Sequence, residues 1–246
     1  MHQYKCLVVS GCSFTPVGGW PYWLGKKLYD IEVKNYACIS SGNGRISRSL
    51  IYGVNEALKI YKPEEILVGV MWSSASRFEV FQEKVDMSMI HNHNDGVNPT
   101  NFVEGADKNW ILIHSGWDDV YSKNYYGYFY DDTGNYISTV EHILRTQWFL
   151  KSHGIDYFMT EFSTGVLPKG KEIENPNIKY LYDMIDHSKF LPITNCLEWA
   201  EASGVPNTPE EMAKPFTMRH PSDNQHRAFA VFVAYDFVVK NYFKGN

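Results

Sequence analysis

The chain alternates between short apolar runs and longer stretches with helical spacing. Leu7 to Ser10, Ile31 to Ile39, Glu65 to Trp72 and Ile155 to Thr160 are strand candidates, each bounded by small or turn-forming residues. The Glu65 to Trp72 run is too continuously apolar to be half-exposed, which predicts a central parallel position. Between the runs, Trp20 to Tyr29, Arg45 to Tyr61 and Tyr136 to His153 have helical spacing, and Asp223 to Phe243 closes the chain in the same way. In the second of these, Ile46, Leu50, Ile51, Val54, Ala57, Leu58 and Tyr61 fall three or four residues apart, as on the buried stripe of an amphipathic helix. Shorter helical patterns occur around Ile178 to Ile185 and Cys196 to Ala202. Val205 to Pro215, with three prolines, reads as loop. Repetition of strand, loop and helix predicts a parallel, doubly wound α/β sheet.

One region breaks this order. Phe81 to Asn135 is rich in Asn, Asp, Gly, Tyr and Trp and is too long for a simple connection. It reads as an insertion, forming a lid or binding wall, within a single domain spanning 1–246. The aromatic share of 15% is high, so the surplus rings either line a sugar or acyl site or fill the core.

Charge narrows the partners. A net charge of −5 without a long basic run argues against a nucleic-acid partner. No apolar run is long enough to span a bilayer, and the N-terminus lacks a signal-peptide pattern, so no membrane partner and a cytosolic place of synthesis are expected. Cys6, Cys12, Cys38 and Cys196 form no C-x-x-C pair and read as free, mostly buried thiols. His91-Asn92-His93-Asn94-Asp95 carries metal-ligand types at alternating positions, but a solvated loop is the preferred account.

Three strand-end loops concentrate hydroxyl and amide groups: Gly11-Cys12-Ser13, Ser40-Ser41-Gly42-Asn43 and Ser73-Ser74. In open α/β sheets, ligands bind at the carboxyl ends of the strands. A serine hydroxyl becomes a useful nucleophile when an imidazole takes its proton and fixed donors hold the resulting oxyanion. His220, just ahead of the last helix, is the candidate base for Ser13.

These residues resemble the SGNH (GDSL-type) hydrolases. Gly11-Cys12-Ser13 matches the first family block, with cysteine in place of the usual aspartate. Asn35 to Asn43 looks like the second block, Val70 to Ser74 occupies the third, and His220-Pro221 matches the last. The GCSFT form and the Trp72 to Glu79 segment are also similar to divergent bacteriophage members, which implies a virion or an infected host cytoplasm as the setting.

The resemblance implies a flavodoxin-like α/β/α sandwich with a central parallel sheet of about five strands. It further implies a serine esterase needing no metal or organic cofactor, which deacylates a carbohydrate or other small alcohol. Ser13 would be the nucleophile and His220 the base. The oxyanion donors would come from Ser40 or Gly42, with Asn43 or Ser73, the last standing where the family has asparagine. Trp72 and Arg77 are candidate substrate contacts, and Arg77 could instead pair with Glu79. The family's acid, three residues before the histidine, is Thr217 here, so a backbone carbonyl or a distant acid would have to take its place. A competing register pairs Asp223 with His226. Two alternative functions follow from the departures: an inactive binding or virion structural module, and acyl transfer to an acceptor other than water.

Overall fold

The computed structural model describes residues 4–81, 83, 110–163, 165–193, 195–215 and 218–243. Its strands are β1 (Cys6–Ser10), β2 (Glu32–Asn35), β3 (Ile66–Trp72), β4 (Phe78–Phe81), β5 (Trp110–Ile113) and β6 (Asp156–Glu161). The α-helices are α1 (Trp20–Lys27), α2 (Asn43–Leu58), α3 (Val120–Asn124), α4 (Asp132–Ser152), α5 (Pro176–Tyr182), α6 (Cys196–Ala202), α7 (Pro209–Met212), α8 (Asp223–Phe229) and α9 (Tyr235–Tyr242).

The central sheet is parallel, in the order β2-β1-β3-β6. The expected five strands are therefore four among the described residues. The next apolar run, β4, leaves the sheet and pairs antiparallel with β5 from the expected insertion. All seven residues of β3 are buried. Ile66, Val68, Val70 and Trp72 pack into one apolar cluster, while Leu67 and Met71 pack into the other. A strand covered on both faces has no solvent side on which to place polar residues, hence the unbroken run.

One cluster is completed by α2 and α4, the other by α1 and the C-terminal helices, giving three layers. Burial of Ile46, Leu50 and Val54 on α2 contributes roughly 2 kcal/mol each. The C-terminal helical run is interrupted by a π-helical turn at Ala230–Ala234. Within the expected 205–215 loop lies α7. Thr208 caps it by accepting from the Glu211 N–H, and Pro209 occupies the first turn, where a missing N–H costs nothing. Among the described residues no helix is long and apolar enough to cross a membrane.

Candidate active site

Parallel pairing places the carboxyl ends of β1, β3 and β6 on one edge of the sheet, and Ser13, Ser73 and Glu161 stand there. After β1 the chain turns sharply, closed by a 2.9 Å bond from the Thr15 N–H to the Cys12 carbonyl. The turn buries Cys12 in the apolar core and leaves Ser13 partly exposed. Ser13 Oγ lies 2.9 Å from His220 Nε2.

His220 is held from several sides. Its main-chain N–H donates to Glu211 Oε2 at 2.8 Å, and its carbonyl accepts from Asn207 Nδ2 at 2.9 Å. Its ring centroid lies 5.1 Å from that of Phe14. Burial lowers the imidazole below its ordinary range, while Glu211 and a hydrogen bond with the Met218 backbone favour the charged form. A backbone group with that effect is an accepting carbonyl. Nε2 faces Ser13 Oγ, and a neutral imidazole with its proton on Nδ1 can accept the Ser13 proton there. Glu211 reaches the His220 main chain; it is a distant acid, with no direct bond to the ring. Thr217, where the family has its acid, lies outside the described residues, as do His91 to Asp95.

The competing register does not assemble. His226 is buried, with Nδ1 4.0 Å from Cys196 Sγ, and burial pushes its imidazole down to about 4. Asp223 Oδ1 accepts from Trp23 Nε1 at 3.0 Å.

The expected oxyanion donors separate by geometry. Ser40 has a φ of 61°, the left-handed region that glycine enters most easily, and it is partly exposed. Gly42 is committed elsewhere, since its N–H donates to Glu79 Oε1 at 2.8 Å. Asn43 is also committed: its amide donates to the Ser73 carbonyl at 3.0 Å and to Thr139 Oγ1 at 3.1 Å. Its Oδ1 accepts from the Ser73 N–H at 2.8 Å. Asn43 therefore splices two loops together and has no free donor. Ser73 Oγ accepts from Arg77 Nη1 at 2.8 Å, and the side chain is fully buried, so its hydroxyl holds the loop and faces no ligand. Trp72 is fully buried in the core and lines no site.

Arg77 does not pair with Glu79. Its guanidinium lies 5.3 Å from the Phe162 ring centroid, and its Nε is buried without a hydrogen-bond partner among the described residues. It is close enough to His220 to disfavour the imidazolium. Glu79, which sequence reasoning treated only as a counter-ion, is the organiser of the loop opposite. It accepts from the N–H groups of Gly42 at 2.8 Å and Arg45 at 3.0 Å, and lies 3.8 Å from Arg48 Nη1. Burial pushes its carboxyl up, opposed by Arg48 and these N–H groups. A Cβ at Gly42 would sit 2.5 Å from Glu79 Oε1, and one at Gly44 would sit 2.7 Å from Oε2, so both glycines make room for the carboxylate. A lone acid inside the apolar run Phe78-Glu79-Val80-Phe81 was the available signal. From the expected insertion, Tyr126 donates through its hydroxyl to the Ser76 carbonyl and so rests on the loop after β3.

The chain belongs to a family of unknown function, DUF6071, whose model matches residues 12–233. Comparison with curated proteins gives no match. Among solved structures, the chain is similar to a member of the lipolytic protein G-D-S-L family from Veillonella parvula DSM 2008. That similarity has 11% identity and a TM-score of 0.45, covering 98% of this chain and 99% of the other. A second similarity is to a putative lipolytic protein of the G-D-S-L family from Desulfitobacterium hafniense DCB-2. Here identity is 13% and the TM-score 0.41, over 96% and 99% of the two chains.

Proposed function

We propose that this chain is a serine ester hydrolase that removes an acyl group from a carbohydrate or other small alcohol. The observation carrying this reading is the 2.9 Å approach of Ser13 Oγ to His220 Nε2 at the carboxyl edge of the sheet. His220 takes the Ser13 proton as Oγ attacks the ester carbonyl, then passes it to the departing alcohol. A water molecule, deprotonated by the same imidazole, releases the acid and restores Ser13. The Met218 carbonyl orients the ring in place of a carboxylate. Because a carbonyl carries no full charge, it stabilises the imidazolium less than an aspartate would.

The N–H groups of Ser13 and Ser40 are the oxyanion donors in this reading. Each such donor is worth on the order of 3 kcal/mol in the transition state.

The test is hydrolysis of 4-nitrophenyl acetate and of acetylated sugars by the wild type and by Ser13→Ala. A fall of about 10³-fold or more in kcat is expected. Equal rates in the two proteins sink the reading.

A further inference from the structure

A cavity of about 620 Å³ opens beside the catalytic edge, lined in part by Glu161, Tyr182, His187, Phe190, Glu198 and Trp199. Its volume falls in the ~300–1,000 Å³ range of small-molecule sites. One residue connects it to the site already described. Phe162 follows Glu161, and its ring meets Phe14 edge-on at 5.3 Å and has the Arg77 guanidinium 5.3 Å from its centroid. Phe14 in turn packs on His220. Phe162 therefore joins, along the chain and through ring contacts, the Ser13 site to a residue of the cavity lining.

The lining has a consistent chemistry. Tyr182, His187 and Phe190 form a row of rings, with centroids 4.6 Å and 6.2 Å apart along it, and Trp199 adds an indole from α6. Glu161, 8% exposed, and Glu198, half-buried, supply two carboxyl groups near enough to repel one another. Glu161 is offset by the Leu167 N–H, which donates to Oε2 at 3.3 Å, and by Lys169 nearby. Among the described residues no lysine or arginine lines the cavity itself. Aromatic faces and carboxylates both attract cations, and each gains strength as water is excluded.

We propose that this cavity holds an ammonium group carried by the alcohol portion of the substrate, an amino alcohol or amino sugar. The rings face the ammonium substituents, and Glu198 supplies the charge. That the ammonium belongs to the substrate's alcohol rests on the esterase reading; that the cavity binds an ammonium group does not.

The binding arm is calorimetric titration of the intact protein with choline, with its neutral carbon isostere 3,3-dimethylbutanol, and with glucose. Choline should bind about tenfold or more tightly than either neutral probe. Glu198→Gln should remove most of that preference while far-UV circular dichroism stays unchanged, and Glu161→Gln should do the same if it folds. Absence of saturable choline binding overturns the proposal, as does equal binding of a neutral probe or an unaffected, folded Glu198→Gln protein. The kinetic arm compares acetylcholine with 3,3-dimethylbutyl acetate in the wild type, Glu198→Gln and Ser13→Ala. Ser13-dependent cleavage of both esters at equal kcat/KM refutes the ammonium site and leaves the esterase standing. Choline binding without any Ser13-dependent cleavage does the reverse.

Discussion

Replacing Glu79 with glutamine changes one atom type in a carboxyl group whose side chain is only 5% exposed. The carboxylate accepts two backbone N–H groups, from Gly42 and Arg45, one on each oxygen. An amide keeps one acceptor and turns an NH₂ toward the second N–H, which leaves that donor buried and unmatched at about 1–3 kcal/mol. The charge beside Arg48, 3.8 Å away, is lost as well. The combined cost is about 2–4 kcal/mol, measurable as a lowered midpoint in urea unfolding followed by tryptophan fluorescence. The same loop carries Ser40, an oxyanion donor in the proposed mechanism, so kcat for an aryl ester should fall while KM stays near its wild-type value, because such a donor acts on the oxyanion and hardly on bound ester. Glu79→Asp retains the charge but is one methylene short of spanning both donors, and it should recover part of each loss. If Glu79→Gln unfolds within about 0.5 kcal/mol of the wild type and turns over at the same rate, the argument that this carboxylate fixes the oxyanion loop is wrong.

Three further outcomes are expected. Glu211→Gln removes the acid that favours charged His220, so its imidazole moves further down. In the proposed mechanism neutral His220 is the base, so the acid limb of kcat/KM shifts to lower pH, with a plateau a few-fold lower from the less stabilised imidazolium. His226, lowered from 6.5 to about 4, stays neutral in the folded chain while the unfolded chain takes up a proton. Stability is therefore lost as pH falls from 6.5 to 4, by about 3 kcal/mol for this group. Urea titrations across that window should show a shallower slope for His226→Gln than for the wild type, and identical slopes would refute the assignment. Arg77→Gln removes a cation that disfavours the His220 imidazolium, so the acid limb of kcat/KM should shift to higher pH. An unchanged acid limb would remove Arg77 from the site.

The layers of the fold were legible because burial on both faces of a strand leaves a continuous apolar run, and burial on one face of a helix leaves a 3.6-residue stripe. β3 and α2 show both signatures. Ser13 and His220 were legible as motif residues, although 2.9 Å is a fact of the fold. What the chain order concealed was long-range hydrogen bonding. Nothing local says that Asn43 will spend its amide on Ser73 and Thr139, or that the Gly42 N–H will face a carboxylate from β4. α7 was hidden for another reason. The three prolines of 205–215 signal a break in regular structure, yet Thr208-Pro209-Glu210-Glu211 is also a strong helix start, and four residues are too few for periodicity to decide. That short helix brings Glu211 to His220.

The contact of Glu79 with Gly42 and Gly44 has an evolutionary consequence. Three positions, the residue capping α2, one in its first turn and one on β4, share a single small volume. They cannot drift independently. Within the family, an alanine at 44 should be accompanied by a shorter residue at 79, a retained glutamate should keep both glycines, and glycine at 42, where a Cβ would also meet the Arg77 carbonyl oxygen at 2.7 Å, should persist whatever stands at 79. A set of related sequences in which the three vary without regard to one another would mean that other members hold this loop by different chemistry.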